Sequence, residues 1–146
     1  MVTKEKTEEH FGTPTLEYTI LDKLGNSVRE IIALNENELH VHLVSKDTIP
    51  EACDFVSHEL KAKLATIICA DERKLCGAFT LRYVFERNDK DDMFIVLTAR
   101  VGETEDDAKE SESSFPSIAF QIPSAALYER EINDMFGLFP AGNPDT

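Results

Sequence analysis

His40 and His42 stand two residues apart in "ELHVHLV", so on an extended chain both imidazoles point to one side. A metal would need a third donor. No H-x-x-E pattern or neighbouring acidic cluster supplies one, so the pair reads as the polar outer face of a strand. Cys53 and His58 lie five apart on what reads as one helix, a poor angle for a nucleophile and its base. Cys53, Cys69 and Cys76 cannot all pair with one another, and their spacings match no metal framework. Each is expected to be a small buried hydrophobe. There is no P-loop, no G-x-G-x-x-G and no C-x-x-C pair, which excludes the usual thiolate cradles for iron–sulfur clusters, structural zinc or nickel. The acid-rich "GETEDDAKESESS" has nothing to desolvate its carboxylates, so it is no catalytic dyad. By this inventory the chain makes no bonds of its own and needs neither cofactor nor metal.

The informative residue types gather instead in "ALYEREINDMFGLFPAGNPDT". Ser124 is placed to cap a helix over 125–136, with Gly137 past its end. Tyr128, Ile132, Met135 and Phe136 share the core-facing stripe, and Phe139 can fold back toward it. Arg130 and Asp134 are four apart and can pair, while Leu127 and Glu131 form a third flank beside Met135. The tail that follows is apolar and stiffened by Gly137, Pro140, Gly142 and Pro144. A rigid apolar tail leaving a helix is expected to lie on a partner.

The elements that must position this segment follow from periodicity. Residues 1–14 read as a loose leader, and residues 15–146 as one domain. Thr15 caps a short helix with Leu16, Ile20, Leu21 and Leu24 on one face, ended by a left-handed Gly25. "VREIIAL" and "ELHVHLV" form a hairpin. Thr48 and Glu51 fit a capping box, with Pro50 in the first turn and Ile49, Cys53, Val56 and Leu60 at helical spacing. "LATIICA" reads as a strand buried on both faces. "AFTLRYVFE" and "DMFIVLTARV" form a long antiparallel hairpin, followed by an acidic loop near 103–114 and an extended "FPSIAFQIP". The order α-β-β-α-β-β-β-α predicts an α+β two-layer sandwich: a mixed sheet of about five strands with helices mainly on one face.

Composition sets the outer limits. The 146 residues suffice for one ordinary core. A formal net charge of −13 argues against nucleic acid as a partner. No run approaches a membrane span, and the start lacks a secretory signal, so a cytoplasmic location is expected.

The segment "YEREINDMFGLFPAGNPD" resembles the signature of the 30-kDa subunit of respiratory NADH dehydrogenase (complex I). The matching positions are Tyr128, Glu129, Arg130, Glu131, Asp134, Met135, Phe136, Gly137, Gly142, Pro144 and Asp145. Related domains occur in energy-converting nickel–iron hydrogenases and formate hydrogenlyase, and "LFPAGNPD" is somewhat more similar to that branch. Asn143 stands where the family pattern has His, and relatives continue past the position of Thr146. The resemblance implies a cofactor-free scaffold in a peripheral redox arm. Its partners would be a large subunit, of the complex I 49-kDa or nickel–iron hydrogenase type, and other peripheral-arm subunits. It would have no membrane span of its own and sit at the inner face of the cell membrane through its complex. On this reading Glu129, Arg130, Glu131, Asp134, Gly137, Pro140, Gly142, Pro144 and Asp145 form the partner interface.

Overall fold

The computed structural model describes residues 15–88, 92–102 and 113–144. The leader at 1–14, the acidic segment 103–112 and Asp145 lie outside the described residues. Helix α1 is Leu16–Leu24, followed by strands β1 (Val28–Asn35) and β2 (Glu38–Leu43), helix α2 (Ile49–Asp54) and strand β3 (Lys63–Glu72). A short helix α3 (Arg73–Cys76) leads into β4 (Ala78–Arg87) and β5 (Met93–Val101). Strand β6 (Ser114–Pro116), helix α4 (Ala125–Phe136) and strand β7 (Phe139–Ala141) close the chain.

The main sheet runs β1-β2-β5-β4-β3. The β1/β2, β5/β4 and β4/β3 pairs are antiparallel and β2/β5 is parallel, so the sheet is mixed. Its parallel pair arises because β2 leaves the first hairpin through α2 and the chain returns to the centre only at β5. Alternation along the central strands sends Leu39, Val41, Leu43, Leu81, Tyr83, Phe85, Ile95, Leu97 and Ala99 into one core. Ile20 and Leu24 of α1, Ile49, Ala52 and Cys53 of α2, and Ala125 and Ile132 of α4 enter that same core. The helices therefore lie on one face, as the two-layer expectation has it.

Several local expectations are corrected. Gly25 has φ −20° rather than a left-handed conformation, because α1 tightens into a 3-10 turn at Gly25–Ser27 instead of ending. Thr15 does cap α1, accepting from the Tyr18 amide at 3.2 Å. The Thr48–Glu51 capping box does not form: Thr48 Oγ1 donates to the Ser45 carbonyl, and Ser45 accepts from Asp47. The helix beyond α2 widens into a π turn at Phe55–Glu59, with the Leu60 amide reaching the Phe55 carbonyl. β3 is an edge strand with mostly exposed or half-exposed residues, not one buried on both faces. Its apolar composition still reads as a central strand because only its neighbours reveal that one edge and one face are open. In "FPSIAFQIP" the extended part stops at Pro116 and the chain turns before α4.

A candidate docking surface built on the last helix

Helix α4 starts without the expected cap: Ser124 is itself in helical conformation and makes no capping bond. It ends as expected, with Gly137 at φ +74°, a conformation that penalises any side chain. Ile132 is buried, and Tyr128 and Phe136 pack half-buried on the core. The Tyr128 hydroxyl donates to the Ala65 carbonyl at 2.9 Å, fastening α4 across β3. Phe136 meets Phe79 edge-on with centroids 6.1 Å apart, and the Arg73 guanidinium lies over Phe79 at 4.6 Å. Met135, expected in the core stripe, is 75% exposed.

Glu129 is the departure with the most chemistry. Expected at an interface, it is fully buried within the chain. One carboxylate oxygen accepts from Ser117 Oγ at 2.6 Å and from Asn143 Nδ2 at 2.9 Å, and the other accepts from the Ile118 amide at 2.8 Å. Among the described residues these are uncharged donors, with no cation paired to it. Three hydrogen bonds offset the desolvation that would otherwise expel a carboxylate from the interior. Its charge is felt nearby. Burial, and then Glu129, push the Cys53 thiol up. Burial, Cys53, Glu129 and Cys69 do the same for the Tyr83 phenol.

Asn143 completes the clamp from the tail. Its Nδ2 also donates to the Ala126 carbonyl at 3.1 Å, and its own amide bonds the Pro140 carbonyl. The tail is thus folded back onto the domain instead of leaving it. β7 pairs with β6 in parallel, setting Phe115 opposite Pro140, and the Ser117 amide donates to the Ala141 carbonyl. Pro140 is buried in this small sheet, Gly142 stands against Ser117 with φ +95°, and Pro144 is exposed. Asn133 Nδ2 holds the Leu138 carbonyl at the bend.

The outer side of α4 remains. Arg130, Glu131 and Asp134 are exposed, with no Arg130–Asp134 ion pair among the described residues. Leu127 at 66% and Met135 at 75% exposure flank Glu131 at four-residue spacing on the same strip, and Phe139 is half-exposed beyond the helix end. The segment therefore has two sides that its charge pattern alone does not separate. The signal that separates them is position: Glu129 is three residues before Ile132 and four after Ala125, both core residues, so it shares their side of the helix.

His40 Nε2 donates to Glu38 Oε1 at 3.0 Å, and His58 lies 2.9 Å from Asp54 on the surface. Cys53 is buried, whereas Cys69 and Cys76 are only partly so. Among the described residues no three His, Cys, Asp or Glu side chains group in a way that could hold a metal, and no helix is long and apolar enough to cross a membrane.

Residues 42–146 match the family described as respiratory-chain NADH dehydrogenase, 30 Kd subunit. The chain belongs to this family. Its α+β sheet fold is similar to a solved structure of a trypsin-resistant fragment of Nqo5, with a TM-score of 0.69 and 22% identity over 90% of this chain and 98% of that one. It is similar also to a chain in the structure of the membrane-bound sulfane sulfur reductase, an archaeal respiratory membrane complex, with a TM-score of 0.71 and 19% identity over 97% and 74% of the two chains. Among curated proteins it is 35% identical to formate hydrogenlyase subunit 5 and 32% identical to hydrogenase-4 component G, both of Escherichia coli (strain K12). Each alignment covers 102 residues, 70% of this chain and 17% of the relative, so the chain spans about a sixth of the length of these proteins.

Proposed function

We propose that this family member is a peripheral-arm subunit or domain of a complex-I-like oxidoreductase that docks and scaffolds the large catalytic subunit during electron transfer. It holds no cofactor, catalyses nothing alone, and sits at the inner face of the cell membrane through its complex. The hydrogenase or formate hydrogenlyase type is favoured over the NADH:quinone type by the two curated relatives, which are a formate hydrogenlyase subunit and a hydrogenase component.

The observation that carries this reading is the division of labour on α4. Glu129 and Asn143 spend their polar groups inside, which fixes the helix and its exit strand rigidly. Leu127, Arg130, Glu131, Asp134 and Met135 are left facing outward from that rigid frame. A preorganised surface loses little entropy on association, and its mix of apolar anchors with both signs of charge suits a specific partner. Arg130 contributes a planar fork suited to a carboxylate across the interface. Gly137, Pro140, Gly142 and Pro144 shape the exit beside it. The test is affinity purification of the assembled complex through a tag on this chain, with Arg130→Ala and Met135→Glu variants. Both variants are expected to keep the melting temperature of the parent and to lose the large subunit. Retention of the large subunit by both would refute the assignment.

A further inference from the structure

The opposite face of the main sheet carries a second feature that the family match does not assign. Among the described residues only the short α3 borders it, since the longer helices share one core on the other side. Strand register places Glu30, His42, Thr98 and Arg82 side by side across β1, β2, β5 and β4, with Arg100 and Thr80 paired at the next level. All of these but Glu30, which stands behind His42, join Arg29, Glu72 and Leu75 around an open pocket of about 150 Å³. Arg82 donates to Thr80 Oγ1 at 3.1 Å and to Glu72 Oε1 at 3.2 Å, and Thr80 donates to that same Glu72 oxygen at 2.6 Å. Arg29 and Arg100 have no ion-pair partner among the described residues. Thr98, 6% exposed, lines the pocket, and its hydroxyl has no hydrogen-bond partner among the described residues. Such a group costs free energy unless something arrives to satisfy it.

Charge defines what would arrive. Three lining guanidinium groups are offset by Glu72 in the lining and by Glu30 beside His42, which leaves one uncompensated positive charge in a chain whose total is −13. That matches a single carboxylate better than a dianionic phosphate. Leu75, 84% exposed, forms the rim, and Ile68, opposite Arg82 on β3, is 47% exposed. An apolar rim around a cationic hole fits a charge presented on a protein surface better than a free ion. We propose that this pocket seats one Asp or Glu side chain, flanked by apolar residues, of a partner protein. The site lies across the sheet from α4 and stands whether or not α4 docks.

His42 offers the spectroscopic readout. Burial holds its imidazole below 6.5; Glu30 opposes this, and Arg29, His40 and Arg82 reinforce it. A carboxylate seated beside it raises the midpoint. The experiment is an NMR titration of the full chain with the peptides acetyl-Leu-Glu-Leu-amide and acetyl-Leu-Gln-Leu-amide, and separately with inorganic phosphate. The glutamate peptide should shift the Thr98 and His42 signals saturably and raise the His42 midpoint, with the glutamine peptide about tenfold weaker. Arg29→Ala, at an exposed position, should weaken the glutamate peptide about tenfold. Thr98→Val should weaken it while leaving the fold at least as stable, because it removes an unsatisfied buried hydroxyl. Equal binding of the two peptides, saturation by phosphate alone, no binding, or indifference to both substitutions would overturn the proposal.

Discussion

The side-chain amide of Asn143 lies 2.9 Å from a Glu129 carboxylate oxygen and 3.1 Å from the Ala126 carbonyl, so one tail residue ties down both the start and the middle of α4. The position that departs from the family pattern and the glutamate expected at the surface are thereby partners in one internal clamp. A neutral amide donates here and brings no second charge to the buried carboxylate.

Glu129→Ala removes the acceptor for Ser117, Ile118 and Asn143 at once and leaves buried donors unsatisfied. It is expected to cost about 3 kcal/mol, near the upper end for single substitutions. Urea unfolding should show a lower midpoint with an unchanged slope.

Asn143→Asp places a second carboxylate against Glu129. The repulsion raises the affinity of the pair for a proton in the folded state, so the folded chain binds protons that the unfolded chain has already lost at neutral pH. Stability should therefore fall as pH rises through the carboxylate range, and the variant should lie closer to the parent at pH 4 than at pH 8. Thermal melts at the two values measure this.

Asp71 is held down to about 2 by hydrogen bonds from the Arg73 side chain and backbone amide. Both guanidinium contacts, at 2.9 and 2.8 Å, are at the surface. A depressed carboxyl contributes above its ordinary value and loses that contribution as pH falls toward about 2. In Arg73→Ala the Asp71 midpoint should return toward the ordinary carboxylate range, read by carboxyl NMR. The same variant removes the cation over Phe79, next to Phe136 of α4.

Burial, and then Asp71, push the Cys69 thiol up to about 11. At pH 8 about one molecule in a thousand then carries the thiolate that alkylates. Iodoacetamide labelling followed by mass spectrometry should leave Cys69 and the fully buried Cys53 unmodified under conditions that modify an unstructured thiol. Fast labelling of Cys69 would contradict its environment.

Much of this architecture was legible in the residues, for physical reasons. Alternation at Leu39, Val41 and Leu43 against His40 and His42 stated which side of β2 faces the core, and the structure agrees. The five-strand mixed sheet with helices on one face follows from such local signals and from chain order. What local signals could not state is what lies beside a strand. β3 looked central by composition and is an edge, and His42 looked like plain surface but borders Arg82 and Arg100 only through pairing between strands distant in sequence. Glu129 was misjudged because charge was given more weight than helical position. The residues that satisfy it, Ser117 and Asn143, come from segments 12 and 14 residues away that no periodicity links.

In the proposed function the outer strip of α4 is covered by a large electron-carrying subunit in the assembled complex. The direct measurement is photo-crosslinking in the producing cell, with a benzophenone amino acid placed at Met135 or, as a control, at the exposed surface position Leu34. Crosslinks from position 135 to the large subunit, absent from position 34, are the predicted result. An assembled complex in which position 135 yields no crosslink to that subunit would contradict the account.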